Sequence, residues 1–230
     1  MTFSSKSLAA FTICWLAMAA PGRAVTLPVT EDFDLTTANW KNVASADLTH
    51  VPSGGVGDSG YVATSLAFTN APTGSSVLFR GHDVFNSSGD AFVGNWLAAG
   101  VEQLSAYVRH NAPQPVDYFA RVATPANFPG VIFSALTAVQ PNTWTRLDFQ
   151  VSPTSPLTTV EGAPSSYNAA LSNIGNVQVA VRVPEALATD QTAYTFDLDS
   201  ISIAVPEPAG AVLMILAAAM CSLRRSVRRR

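Results

Sequence analysis

The chain has 230 residues, of which 48% are hydrophobic, and a formal net charge of −3 at pH 7. Residues 25–205 carry six basic and fifteen acidic side chains, so this stretch is strongly acidic. An acidic surface repels phosphate backbones and attracts cations, so nucleic acid is not an expected partner. Both cysteines, Cys14 and Cys221, lie outside this stretch, which leaves it no disulfide and no cysteine ligand for a metal.

The first 24 residues have the layout of a secretory signal peptide. Lys6 precedes an apolar stretch over residues 8–20, and a helix-breaking Pro-Gly pair and small residues follow as far as Ala24. We predict cleavage after Ala24, which makes residues 1–24 the signal peptide. An uncleaved signal anchor is the alternative, because the positive region is thin and Arg23 lies beside the cleavage point.

Between the two termini the apolar residues recur with a period of two, which is typical of half-buried strands. The alternation is clearest over residues 104–108, 147–151 and 177–183. Further strands are predicted over residues 30–35, 47–51, 61–68, 77–80, 117–122, 131–136 and 194–203. Short strands without a long amphipathic helix indicate an all-β domain over residues 25–204, an antiparallel two-sheet sandwich. An irregular loop is predicted over residues 152–166 and one helical turn over residues 167–171.

A glycine-rich stretch from Gly55 to Gly60 matches the spacing G-x-G-x-x-G. A dinucleotide-binding loop of that pattern must open a helix, but Tyr61 and the residues after it are typical of a strand. We therefore predict a turn between two strands.

The two ends of the sandwich carry acidic motifs. Glu31-Asp32-Phe33-Asp34, with Trp40 shortly after, and the stretch from Phe196 to Ile203 resemble the first and last strands of jelly-roll domains. Carbohydrate-binding modules and laminin-type domains share that fold. The resemblance implies a jelly-roll-like β-sandwich whose terminal strands lie together and hold a structural calcium ion. The acidic residues that match are Glu31, Asp32, Asp34, Asp197 and Asp199.

The spacing of these carboxylates has a physical reading of its own. Asp197 and Asp199 are two residues apart on a strand and so project from one face, as do Asp32 and Asp34. If the two strands are neighbours, a calcium ion would relieve the repulsion among these groups. The alternative is a solvated acidic face on an edge strand. The apolar alternation slips near Asp199-Ser200, which predicts a β-bulge there.

A sugar-binding surface would need exposed aromatic rings, which stack on the apolar faces of pyranoses. The candidates are Trp40, Trp96, Tyr107, Tyr118 and Trp144. Trp144 shares its strand face with Arg146 and Asp148, and Tyr107 shares its own with Arg109. We therefore predict Trp144 and Tyr107 as carbohydrate-binding residues, and assign Trp40 and Trp96 to the core.

The C-terminal segment, residues 205–230, contains Pro206-Glu207-Pro208, an apolar run over residues 209–223, and five arginines that begin with Arg224 and Arg225. It closely resembles the PEP-CTERM sorting tail of Gram-negative bacteria. That resemblance implies processing by an exosortase, with Pro206, Glu207, Pro208, Arg224 and Arg225 as the sorting signal. The apolar run would span about 22 Å as a helix, short of a bilayer core of about 30 Å, with the arginines on the cytoplasmic side. A buried C-terminal core helix is the alternative.

Together these resemblances imply an exported protein, transiently anchored in the membrane by its tail and then located at the cell surface or outside the cell. We expect it to be non-catalytic and associated with extracellular polysaccharide. A glycoside-active enzyme is one alternative, but a retaining hydrolase needs two carboxyls about 5 to 5.5 Å apart and Glu102, Glu161 and Glu185 are isolated in sequence. A structural envelope module without a ligand is the other.

Overall fold

The computed structural model describes residues 25–71 and 73–205. In this part of the chain, eleven strands form two antiparallel sheets, which confirms the predicted jelly-roll-like all-β sandwich. The predicted signal peptide and the sorting signal from Pro206 onward lie outside the described residues. No helix within the described ranges is both long enough and apolar enough to cross a membrane.

The first sheet has six strands in the order β2-β3-β11-β5-β8, and β1 pairs with β11 beyond the end of β3. The strands are β1 (Val29–Glu31), β2 (Thr49–Val51), β3 (Tyr61–Ala67), β5 (Gln103–His110), β8 (Thr145–Gln150) and β11 (Ala193–Ala204). The first strand is shorter than predicted, because Phe33 has a positive φ of 53° that breaks the extended backbone. The terminal strands β1 and β11 are neighbours, as the jelly-roll resemblance implies.

The second sheet has five strands in the order β4-β10-β6-β7-β9. They are β4 (Ser75–His82), β6 (Tyr118–Ala123), β7 (Gly130–Ser134), β9 (Thr158–Val160) and β10 (Asn176–Arg182). Two short helices are α1 (Trp96–Ala99) and α2 (Ser166–Leu171), and α2 confirms the predicted helical turn. The predicted irregular loop is wrong in part, because its β-branched Thr158–Val160 stretch pairs with β7.

The core lies between the two sheets and follows the predicted alternation. Leu147 and Phe149 of β8 are buried, whereas Arg146 and Asp148 are exposed. The rings of Trp40, Trp96 and Tyr118 are buried as well, which confirms the core assignment of the two tryptophans and removes Tyr118 from the exposed aromatics.

The central strand β10 departs from the half-buried pattern. Its core-facing valines are buried as expected, but the outward-facing Gln178 and Ala180 are buried too. Because β4 and β6 flank β10, long side chains from both neighbours cover its outer face. This covered face forms part of the floor of a groove on the outer side of the second sheet.

The last strand contains the predicted bulge. Its register with β5 shifts between Asp199 and Ser202, and Ser200 has a positive φ of 47°. The shift falls where β11 changes partners, since Leu198 still pairs with β3 and Ile201 pairs with β1. The bulge therefore keeps Phe196 and Leu198 on the core side together with Ile201 and Ile203.

Candidate functional site

The loop that connects β2 to β3, from Gly54 to Gly60, gathers residues from both predicted sites. It is the predicted turn between strands, with a single 3-10 turn at Val56–Asp58 and a strand after it. We call this segment the β2–β3 loop. A dinucleotide-binding role does not fit it, because no helix follows the glycines.

Two of the predicted calcium ligands hold this loop at its two ends. The buried carboxylate of Asp199 accepts a hydrogen bond from Val56 N at 2.8 Å, and its Oδ2 lies 2.8 Å from Ser59 Oγ. At the other end, Asp34 Oδ1 accepts a hydrogen bond from Gly60 N at 3.0 Å. A Cβ on Gly60 would lie 2.8 Å from the carbonyl oxygens of Phe33 and Asp34, so this close approach requires glycine.

The other three acidic candidates have separate partners. Glu31 accepts a hydrogen bond from Phe33 N at 3.1 Å, and Asp32 accepts one from Asp34 N at 3.3 Å. Asp197 forms an ion pair with Arg109, with Oδ2 and Nε 2.7 Å apart. Within residues 25–71 and 73–205, no three histidine, cysteine or acidic side chains are grouped to hold a metal ion. The calcium site stays a prediction.

Burial raises the pKa of the Asp197 carboxyl, while the hydrogen bond and charge of Arg109 act in the opposite direction. The side chain of Asp197 is only 9% exposed, so its carboxylate has little contact with water. The guanidinium of Arg109 compensates for this loss of solvation. Asp197 therefore anchors Arg109 above the outer face of the first sheet.

Trp144 also contacts the β2–β3 loop, at Gly54. Its Nε1 donates a hydrogen bond to Gly54 O at 3.0 Å, and Arg109 Nη1 lies 3.4 Å from the same oxygen. The guanidinium carbon of Arg109 lies 4.4 Å from the centre of the Trp144 ring, and Tyr61 packs edge-on against that ring at 5.4 Å. The side chain is half-buried rather than freely presented.

Tyr107, the second predicted sugar-binding residue, is half-buried on the outer face of β5. Its neighbours across the sheet are Asp199 on β11 and Arg146 on β8. The ring of Trp144 is covered by Arg109, not by Tyr107, so the structure does not join the two predicted residues into one aromatic platform.

A second candidate site lies on the outer face of the five-stranded sheet, and sequence reasoning missed it. It is an open depression of about 560 Å³, which we call the groove. Phe119, Ile132 and Val77 give its floor apolar character, and polar side chains surround them. The polar and charged lining residues include Asn70, Thr73, Ser75, Ser76, Arg80, Arg121, Asn127, Glu161 and Gln178.

Arg121 is the best-connected side chain in the groove. Its Nε and Nη2 donate to the two carboxylate oxygens of Glu161 at 2.8 and 2.6 Å, a bidentate pair. Its Nη1 and Nη2 donate to Asn127 Oδ1 and O at 2.8 and 2.7 Å. The arginine thereby ties β6 to the loop before β7 and to the end of β9.

The backbone makes room for this ion pair at Gly130. A Cβ there would collide with Glu161 Oε2 and would lie 2.8 Å from Arg121 Nη2. A side chain at this position would force the ends of the paired side chains to shift, so their close approach favours glycine here.

Arg80 is the charged side chain in the groove lining that forms no ion pair among the described residues. Its Nε is buried and finds no hydrogen-bond acceptor, and it forms no ion pair within the described part of the chain. Burial lowers its pKa, the positive charge of Arg121 lowers it further, and Asp83 raises it. The ring of Phe85 lies 5.7 Å from its guanidinium carbon.

A larger depression of about 690 Å³ lies between β5, β8 and the loop after β8. Its charged residues are Glu102 and Asp148, and it has no aromatic side chain in its lining. Its described lining has no cation, which distinguishes it from the groove.

The fold and the groove define a jelly-roll-like β-sandwich with an open cleft on one sheet. No protein-family model matches the chain, and no curated protein matches it. Among solved structures, an exo-beta-agarase aligns over 80% of this chain and 26% of its own, with 12% identity and a TM-score of 0.52. At that identity the likeness shows the fold alone.

Two further structures align with lower scores. The CBM22-1-GH10 modules of a Clostridium thermocellum xylanase, complexed with xylohexaose, align over 76% of this chain and 28% of that one, at 14% identity and a TM-score of 0.46. The L4b domain of human laminin alpha-2 aligns over 77% of this chain and 98% of its own, at 10% identity and a TM-score of 0.45. The chain thus spans little more than a quarter of the agarase and xylanase chains.

Proposed function

We propose that this chain is an exported, non-catalytic cell-surface or extracellular protein that associates with polysaccharide through the groove. The observation that carries the proposal is the lining of the groove. An apolar floor at Phe119 and Ile132 lies among amide and hydroxyl groups such as those of Asn127 and Gln178. Sugar rings present apolar faces edged by hydroxyls, and a cleft of this composition is complementary to them.

The fold likeness supports the same class of ligand. The exo-beta-agarase is by name a polysaccharide-degrading enzyme, and this chain matches only 26% of its length. A part of that size fits an accessory module rather than the whole enzyme.

The carboxylate in the groove supports a non-catalytic role. Both oxygens of Glu161 are held by Arg121, and a carboxylate in a bidentate pair is a poor proton donor. A glycosidase would need a second carboxyl about 5 to 10 Å away, but Glu161 is the only carboxylate in the described lining of the groove.

The proposed location rests on the tail motif. Pro206-Glu207-Pro208, the apolar run and the arginines that follow it fit an exosortase-type partner that removes the tail after export. Intact-mass analysis of the protein from its host tests this step. The expected species has lost both termini, and a mature species that retains Arg224 to Arg230 would overturn the sorting proposal.

A glycan array tests the binding proposal. Residues 25–205 contain both sheets and the whole described core, so this fragment is the appropriate probe, with and without calcium. Ile132→Gln should lose glycan binding because it removes apolar floor from the groove. Leu136→Gln is the matched control, because Leu136 is 82% exposed and lines the larger depression instead.

The two variants separate the possible results. Loss of binding in Leu136→Gln with Ile132→Gln unaffected would place the ligand in the larger depression and overturn the assignment to the groove. A wild-type fragment that binds no glycan would favour a structural envelope module without a ligand.

A further inference from the structure

We propose that the groove selects a polysaccharide bearing oxyanions, carboxylate or sulfate, and that Arg80 is the residue that binds the oxyanion. The inference rests on the proposed function, because it takes the polysaccharide in the groove as given. It adds the chemical class of the ligand and the residue that recognises it.

The strand register places two arginines in one row. Gln178 on the central strand β10 is paired with Arg80 on β4 and with Arg121 on β6. All three side chains line the groove, and Arg121 Nη1 reaches Gln178 Oε1 at 3.4 Å. Two like charges are thereby brought to the same face on strands that are one strand apart.

The acidic side chains near the two arginines have contacts of their own. Glu161 and Asn127 are bound by Arg121, which accounts for the charge of that arginine. Asp83, the carboxylate that acts on Arg80, is engaged by the ring of His82 at 2.6 Å and by Val84 N at 2.7 Å. The lining of the groove therefore has one arginine without an ion pair among the described residues, and Asp83 acts on its charge without contacting it as an ion pair.

An oxyanion on the ligand is the group that completes this arrangement. A guanidinium presents its donors in a planar fork that matches the two oxygens of a carboxylate or two of the oxygens of a sulfate. The guanidinium of Arg80 forms no ion pair among the described residues, and an oxyanion in the groove would neutralise its charge. A neutral sugar hydroxyl could accept a hydrogen bond but would leave the charge uncompensated.

The charge of the rest of the domain sharpens the inference. Residues 25–205 carry nine more acidic than basic side chains, so an anionic polymer is repelled by most of the surface. Arg80 is the arginine that lines the groove without an ion pair among the described residues, whereas Arg182 lies outside that lining. Comparison with a variant of an arginine elsewhere separates this local site from general ion exchange.

Affinity electrophoresis of the fragment of residues 25–205, which lacks the arginine cluster at the C-terminus, tests the inference. Each gel contains a single polymer, and the polymers form two matched pairs of an anionic and a neutral member. The pairs are polygalacturonate and its methyl ester, and dextran sulfate and dextran. The wild-type fragment should bind at least one anionic polymer about tenfold more tightly than its neutral counterpart, as expected for a hydrogen bond to a charged group. Preference for polygalacturonate identifies a carboxylate, and preference for dextran sulfate identifies a sulfate.

Three variants assign the effect to its residue. Arg80→Gln should remove the tenfold preference, and Arg80→Lys should retain part of it, since the charge remains and the fork is lost. Arg146→Gln is the matched control, because Arg146 lies on the other sheet and pairs with the exposed Asp148. Its preference should stay unchanged, and circular dichroism should confirm that each variant is folded. If Arg80→Gln fails to fold, Arg80→Lys tests the inference instead, and its preference for the anionic polymer should be weaker than that of the wild-type protein.

Two results would overturn the inference in different ways. Equal binding of the anionic and neutral polymers, abolished by Ile132→Gln, would leave the proposed function standing and remove the oxyanion. No binding to any of the four polymers would overturn both. Equal loss in Arg80→Gln and Arg146→Gln would show a general charge effect and would also overturn the role of Arg80.

Discussion

Arg109 covers Trp144, with its guanidinium carbon 4.4 Å from the centre of the indole ring. The ion pair with Asp197 fixes the arginine, and the hydrogen bond to Gly54 fixes the ring. Arg109 therefore lies over one face of a ring that is half-buried, and Trp144 stays a predicted carbohydrate-binding residue. The outer face of the first sheet differs in this respect from that of the second sheet, which carries the open groove.

Trp144→Ala should lower the free energy of unfolding by about 1 to 2 kcal/mol, because it removes one cation–π contact and one hydrogen bond. That is less than the roughly 3 to 5 kcal/mol expected for a core tryptophan. Urea denaturation measures the change. Glycan binding should be unchanged, and its loss without a loss of stability would instead support the predicted sugar platform at Trp144.

Asp199→Ala should lower the free energy of unfolding by about 2 kcal/mol, because it leaves the half-buried donors Val56 N and Ser59 Oγ without this acceptor. Asp32→Ala is the matched control, since Asp32 is exposed and accepts only from Asp34 N. Urea denaturation of both variants should separate them clearly. Equal stability of the two variants would contradict the clamping role of Asp199.

Calcium is expected to raise the melting temperature, because an ion that binds only the native state stabilises it by mass action. The prediction rests on the adjacent terminal strands and their acidic residues. Scanning calorimetry with saturating calcium and with chelator measures the shift, and Asp199→Ala should reduce it. An identical melting temperature under the two conditions would rule out a stabilising calcium site in this domain.

Gly130→Ala should destabilise the protein by about 1 to 3 kcal/mol, because the added methyl group overlaps the Arg121–Glu161 ion pair. A double-mutant cycle with Glu161→Gln measures how far this cost depends on the ion pair. In the Glu161→Gln background the same methyl group should cost less, since the weakened pair can move aside. Strict additivity of the two substitutions would show that the ion pair is not what excludes a side chain at Gly130.

Stability should fall when the pH is lowered from 7.5 to 5.5. Burial lowers the pKa of His110 and also that of His82, where Arg80 lowers it further and Asp83 opposes the shift. The unfolded chain therefore takes up protons near pH 6.5 that the folded chain does not, and stability is lost as the pH falls toward the folded pKa values.

Urea midpoints at the two pH values measure this effect, and His110→Gln should reduce it. Burial raises the pKa of Asp197, so protonation of this carboxyl favours the folded state as the pH falls. This opposing effect lies at lower pH than that of the histidines, in the range above the ordinary carboxyl pKa of 3.8. Equal midpoints at pH 7.5 and 5.5 would contradict the prediction.

The sandwich could be predicted because its strands carry their own signal. Leu147 and Phe149 alternate with polar residues, and this alternation places them on one face whatever their neighbours are. The slip at Asp199-Ser200 is also a local signal, which is why the bulge could be expected.

The groove could not be predicted in the same way. Arg80, Arg121 and Gln178 are far apart in the chain, and only the order β4-β10-β6 makes them neighbours. The alternation identifies Gln178 as outward-facing. An outward-facing residue is exposed to solvent only when no long side chain from a neighbouring strand covers it, and Gln178 is buried. The covering of Trp144 by Arg109 has the same origin, since pairing between β5 and β8 brings their ends together.

The pairing of β1 with β11 also determines how the sandwich responds to a pulling force. Val29 lies opposite Ile203, so both ends of the described chain leave the same end of the sheet. A force that draws those ends apart would load the hydrogen bonds of β1 one pair after another, as a zipper opens, instead of shearing them all together. A tether at the C-terminus alone would leave this weak direction unloaded.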